Sequence, residues 1–145
     1  MLKPILPLLL CVSLLWISHP ATAQTLPSPS TLFKSQISFG SGGGVSGASK
    51  TYTIHEDGKV TLKESLTDSV TVLKTLSDFN LKEAFRCANE LKLDKYKFNH
   101  PGNLYYFIEY SNPKKKVKSK TVWGSNRHKV AKSVQKFYYK LIKML

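Results

Sequence analysis

Gly40-Ser41-Gly42-Gly43-Gly44-Val45-Ser46-Gly47 stands between two runs of alternating character, Lys34 to Phe39 on one side and Thr51-Tyr52-Thr53-Ile54-His55 on the other. The fold turns on which kind of element comes after these glycines. Gly42-Gly43-Gly44-Val45-Ser46-Gly47 matches G-x-G-x-x-G, but a dinucleotide fingerprint must open a helix whose N-terminus receives the pyrophosphate. Here the next element is a second strand, and Asp57-Gly58 then gives a two-residue hairpin signal before Lys59-Val60-Thr61-Leu62-Lys63. A Walker loop fails as well, since Ser49 stands where glycine must precede Lys50-Thr51 and no helix comes next. A kinase glycine loop does lie between strands, but the chain is too short for the rest of a kinase. The segment therefore reads as a connection between strands.

Downstream, Ser77 or Asp78 can cap a helix whose apolar residues Leu81, Ala84, Phe85, Ala88 and Leu91 share one face. A turn at Asn99-His100-Pro101-Gly102-Asn103 leads to Leu104-Tyr105-Tyr106-Phe107-Ile108-Glu109-Tyr110, an aromatic and β-branched run expected to be a central strand buried on most of both faces. Asn112-Pro113 turns the chain into Lys116 to Trp123, with Lys116, Lys118 and Lys120 expected on a wet side of the pleat and Val117, Thr121 and Trp123 on the other. A last helix opening at Ser125 or Asn126 carries Val130, Val134, Phe137, Tyr138, Leu141, Ile142 and Leu145 as one apolar stripe. The expectation is an α+β fold: an antiparallel sheet of about five strands in the order βββ-α-ββ-α, with two helices packed on one face.

At the other end, Lys3 and the apolar run Ile5 to Ile17 have the shape of a secretory leader. The run is too short for a membrane span, and Ala21 and Ala23 offer a cleavage site before Gln24. A lipoprotein anchor at Cys11 is disfavoured because Leu8, Leu9 and Leu10 stand where a small residue is needed. The expected organisation is a signal peptide at 1–23, a Pro/Ser-rich flexible linker at 24–31 and a single α+β domain at 32–145, exported to the periplasm or beyond. The mature chain would keep one cysteine, Cys87, read as a small apolar helix residue.

Only Lys3 is lost with the leader, so nearly all of the formal charge of +13 belongs to the domain. A field of this sign attracts anionic surfaces without selecting among them. His55, His100 and His128 have no metal-ligand spacing, and Glu56 and Asp57 sit at a hairpin tip. Neither a metal, a cofactor nor an enzymatic activity is expected. Tyr105, Tyr106, Phe107 and Tyr110 near Lys114, Lys115 and Lys116 have the ingredients of a nucleic-acid stacking groove, but those aromatics read as core. The basic terminal helix could lie on anionic membrane, but its apolar stripe is the natural lid for the sheet.

The block Phe39-Gly40-Ser41-Gly42-Gly43-Gly44, the strand Pro101-Gly102-Asn103-Leu104-Tyr105-Tyr106-Phe107-Ile108-Glu109-Tyr110 and Trp123-Gly124 before a closing helix resemble a group of small exported bacterial proteins. More distantly, the element order and the Gly-Gly-x-x-Gly loop are similar to emfourin-type inhibitors of thermolysin-like metalloproteases. That resemblance implies a small inhibitor presenting loops to a protease cleft, with Gly43, Gly44, Val45 and Gly47 at the matching positions and Val45 where a larger residue is expected. Two functions are consistent with these features. One is a protein-binding module, of the protease-inhibitor kind, acting through Gly42, Gly43, Gly44, Val45, Ser46 and Gly47. The other is an envelope-associated domain that binds polyanions or anionic membrane through Lys116, Lys118 and Lys120.

Overall fold

A computed structural model of the chain describes residues 34–145. The leader and linker expected over 1–31 lie outside the described residues. Along the chain come β1 (Gln36–Gly43), β2 (Ser49–His55), β3 (Lys59–Glu64), β4 (Ser69–Thr75), α1 (Asp78–Glu90), β5 (Asn99–His100), β6 (Leu104–Asn112), β7 (Val117–Trp123) and α2 (Lys132–Lys143). The strands form one sheet in the order β4-β3-β2-β1-β6-β7-β5. All neighbours are antiparallel except β5 and β7, which run parallel through Asn99–Val122 and His100–Trp123.

The α+β class and the two helices stand as expected, while the sheet is larger and mixed. Seven strands replace about five, and the order is ββββ-α-βββ-α. One addition, β4, comes after a turn at Thr67-Asp68, where Asp68 takes a left-handed φ of 49°. All seven of its residues are exposed, so no alternation between buried and wet positions marks it. The other, β5, is a two-residue bridge inside what reads as a turn.

Alternation places the core. Register sets Ile37 opposite Tyr110 and Ile54, and Phe39 opposite Ile108 and Tyr52. These side chains share one face and form a single buried cluster with Val60, Trp123, Ala84 and Ala88 of α1, and Val134, Phe137, Tyr138 and Leu141 of α2. Ser77 caps α1 by accepting from Asn80 N, as its sequence predicts. The start of α2 differs from expectation, at Lys132 rather than Ser125 or Asn126. The intervening backbone is committed elsewhere: Ser125 N donates to His100 O at 3.1 Å and Ala131 N to Tyr96 Oη at 3.3 Å. Val130 stays buried although it precedes the helix.

The glycine segment also departs from its reading as a connection, because β1 continues through Gly40, Ser41, Gly42 and Gly43. Gly40 faces Phe107 across the sheet, and a Cβ built on it would meet Phe107 Cζ at 3.2 Å and Lys50 O at 1.9 Å. Only a residue without a side chain lets the neighbouring strand and the Phe107 ring approach so closely. The true loop is shorter, Gly44 to Ala48.

Candidate functional site: the hairpin tip and its apolar platform

The β1–β2 loop is held at both ends. Gly43 N donates to Ala48 O at 3.1 Å, Gly47 N to Gly44 O at 3.2 Å, and Gly44 N reaches across to Asn103 O, before β6, at 2.8 Å. Ser49 N donates to Ser65 Oγ at 2.8 Å, tying the far limb to the β3–β4 turn. Gly44 and Gly47 take φ of 76° and 62°, the left-handed values the tight turn requires. Between them Val45 has a relative exposure of 109%, greater than that of a free reference residue. An apolar side chain thus stands clear of the molecule on a loop whose backbone is fixed.

At the base of this tip lies a shallow cleft of about 330 Å³, bordered by Gly42, Gly43, Lys50, Leu104, Tyr105 and Tyr106. Leu104 is 61% exposed, and Tyr106 and, from α2, Tyr139 are also open to solvent. Behind them the rings interlock. Tyr106 stacks on Trp123 at 5.9 Å and meets Tyr138 edge-on at 5.5 Å, while Tyr138 contacts Tyr139 at 5.7 Å. Burial, with Tyr106 and Tyr139 close by, pushes the Tyr138 phenol up to about 12. Lys50 on the rim is paired with Glu64 at 3.0 Å, and that hydrogen bond raises its pKa. The arrangement offers shape and apolar surface, with aromatic groups held rigidly, which are the properties of a binding patch.

The six loop residues singled out in sequence are therefore adjacent, although Gly42 and Gly43 belong to the strand and only Gly44 to Gly47 to the exposed turn. The three lysines are not gathered. Lys116 lies outside β7, in a left-handed conformation that closes a short 3₁₀ turn over Pro113–Lys115. Lys118 is on the strand and paired with Glu109 at 3.2 Å, and Lys120 Nζ sits 4.6 Å from the Phe107 ring centroid. Lys118 and Lys120 do occupy a wet face of the sheet, the one not covered by helices.

Sequence reasoning misses Leu104, sets Tyr106 aside as core and misses Tyr139. The first two lie in a run that reads as a strand buried on most of both faces, and Tyr139 lies just off the apolar stripe of α2. Their signal is faint: Leu104 pairs with Gly43, the last residue of β1, so it sits at the end of the strand beyond the core.

Elsewhere, Cys87 is half-buried, its Sγ 3.6 Å from Glu83 Oε1 and 3.7 Å from Lys140 Nζ. Glu83 accepts from Lys140 and from Arg86, the latter at 2.6 Å, joining α1 to α2. Those two cations, Lys140 first, draw its carboxyl down to about 2. Among the described residues, no group of three or more His, Cys, Asp or Glu side chains is placed to hold a metal ion. Nor is any helix among them long and apolar enough to cross a membrane.

No family model matches the chain, and no curated protein matches it.

Proposed function

We propose that this chain is an exported, non-catalytic protein-binding module that acts in the periplasm or outside the cell by inserting the Val45 hairpin tip into a cleft of its partner. The observation that carries the proposal is the fully exposed Val45 on a turn whose backbone is pinned at both limbs. A tip already fixed in its bound shape loses little conformational entropy on docking, which is how small inhibitory loops gain affinity. Leu104, Tyr106 and Tyr139 would then form the platform on which the partner's rim closes. The partner class favoured by the resemblance of the Gly-Gly-x-x-Gly loop is a thermolysin-like metalloprotease.

The test is a titration of the protein into such a protease, following peptide hydrolysis and, separately, binding by interferometry. The native domain is expected to bind and inhibit. Val45→Asp should weaken binding by about 2 kcal/mol or more, roughly thirtyfold, since it drives a charge into an apolar contact. The double charge reversal Lys118→Glu and Lys120→Glu should leave inhibition unchanged. Failure of the native domain to bind, or loss with the lysine variant and not with Val45→Asp, would sink this assignment.

A further inference from the structure

The cations of this protein divide into two populations. In the first half of the described chain most are matched: Lys34 and Lys59 lie 3.8 Å from Asp57, Lys50 pairs with Glu64, Lys63 with Asp68 at 2.6 Å and Arg86 with Glu83, while Lys74 and Lys82 have no side-chain carboxylate partner among the described residues. After Glu109 the sequence contains no acidic residue, while lysines and an arginine continue to its end. The fold gathers several of the unmatched ones at one corner.

The segment leading into β5 is stapled to the segment leading into α2. Tyr96 Oη accepts from Ala131 N, His100 O accepts from Ser125 N, and the His100 and His128 rings stack at 4.0 Å. Tyr96 and Phe98 turn inward and pack on the core, so the residues alternating with them, Lys95 and Lys97, turn outward. Lys92, Lys95 and Lys97 are exposed on one side of this seam, and Arg127, Lys129 and Lys132 on the other. None of these six forms an ion pair among the described residues, and Asp94 is the only carboxylate in either segment. Holding unpaired like charges together costs stability that pairing elsewhere in the chain avoids.

We infer that this β5–α2 corner is a binding site for a linear polysaccharide bearing sulfate or phosphate esters. Two rival polyanions fit the corner less well. A membrane-docking surface combines cations with apolar side chains that enter the interface, and none of the strongly exposed apolar residues falls within 92–100 or 125–133. Single-stranded nucleic acid is held by bases stacked on open aromatic faces, whereas Tyr96 and Phe98 are turned into the core. What the corner presents is charge with no exposed large apolar side chain and, as open ring surface, only His128 stacked on His100, which suits a polymer recognised through its ester groups. The site is distinct from the hairpin tip and does not rest on it.

The experiment uses heparin as the sulfated polymer and measures affinity by calorimetry over a range of salt. One triple variant, Lys97→Gln, Lys129→Gln and Lys132→Gln, removes corner charges. A control, Lys34→Gln, Lys59→Gln and Lys63→Gln, removes the same formal charge from paired lysines, and both are checked for native circular dichroism. The native protein should bind heparin with an affinity that falls steeply as salt rises. The corner variant should bind roughly tenfold or more weaker than the control at low ionic strength, and Val45→Asp should bind like the native protein. Equal losses in the two triple variants would show that net charge alone is responsible and overturn the site. Tighter binding of phosphatidylglycerol vesicles or oligothymidylate at matched ionic strength would overturn the ligand class.

Discussion

Replacing Gly40 by alanine tests whether the glycine segment is strand or loop. The added Cβ would lie 1.9 Å from Lys50 O, while a relaxed carbon–oxygen contact is about 3.3 Å. The obstructing atom is backbone, held in the β1–β2 ladder by the pairs Gly40–Thr51 and Ser41–Lys50. No side-chain rotation relieves the contact, so the strands must part by more than about 1 Å, with loss of ladder hydrogen bonds. Overpacking costs about 1–3 kcal/mol and each lost bond about 1 kcal/mol, giving an expected destabilisation of about 3 kcal/mol or more. Gly47→Ala is the comparison: its φ of 62° is strained for alanine, but nothing lies within 4 Å, so about 1–2 kcal/mol is expected. Gly42→Ala falls between, because the Tyr105 hydroxyl at 2.6 Å can swing away whereas the Ser49 Cβ at 2.8 Å is fixed to the paired strand; adding Tyr105→Ala should remove only part of its penalty. Urea unfolding followed by the fluorescence of buried Trp123 provides the free energies. If Gly40→Ala costs no more than Gly47→Ala, β1 does not run through the glycines and the packing argument fails.

Two titrations probe the helix pair and the core. The Glu83 carboxyl, held down to about 2 by Lys140 and then Arg86, contributes stability that is fully present above its ordinary value of 4.5 and is lost as pH falls toward about 2. Glu83→Gln should therefore flatten the pH dependence of unfolding in that window, and an unchanged acid limb would contradict the α1–α2 link. Burial raises the Tyr138 phenol to about 12, so folding is favoured below pH 10 and loses that contribution as pH rises from 10 to about 12. In an ultraviolet titration Tyr138→Phe should remove a phenol that ionises late, and removal of an early one would place Tyr138 outside the core.

Much of the architecture was legible because local chemistry and burial agree. The Asp57-Gly58 turn, the Ser77 cap and the stripe of Val134, Phe137, Tyr138 and Leu141 each appear where their pattern places them. The failures have separate causes. Strand β4 carries the β-branched run Val70-Thr71-Val72 but buries none of it, so its only support is pairing with β3. The β5–β7 bridge depends on a parallel partner more than twenty residues away and leaves no periodic trace. At Gly40 and Gly42 the sequence looks like a loop because the space for side chains is taken by Lys50 O and by Phe107 and Tyr105 from the next strand, which sequence spacing does not reveal. The site was half visible for the same reason: the turn announces itself through glycine, but Leu104, Tyr106 and Tyr139 become a surface only once the sheet ends beside them.

Strand β1 pairs on one side with β2, its neighbour in sequence, and on the other with β6, where Phe39 meets Ile108. In kinetic terms these are two different events. The β1–β4 meander closes through short turns and can form in microseconds, whereas the β1–β6 seam must first close most of the domain as a loop. Folding should thus be paced by that seam, with pulsed hydrogen exchange protecting amides across β1–β2 before those across β1–β6. Until it closes, the chain carries two open strand edges at its centre, and that interval is when it is most exposed to aggregation.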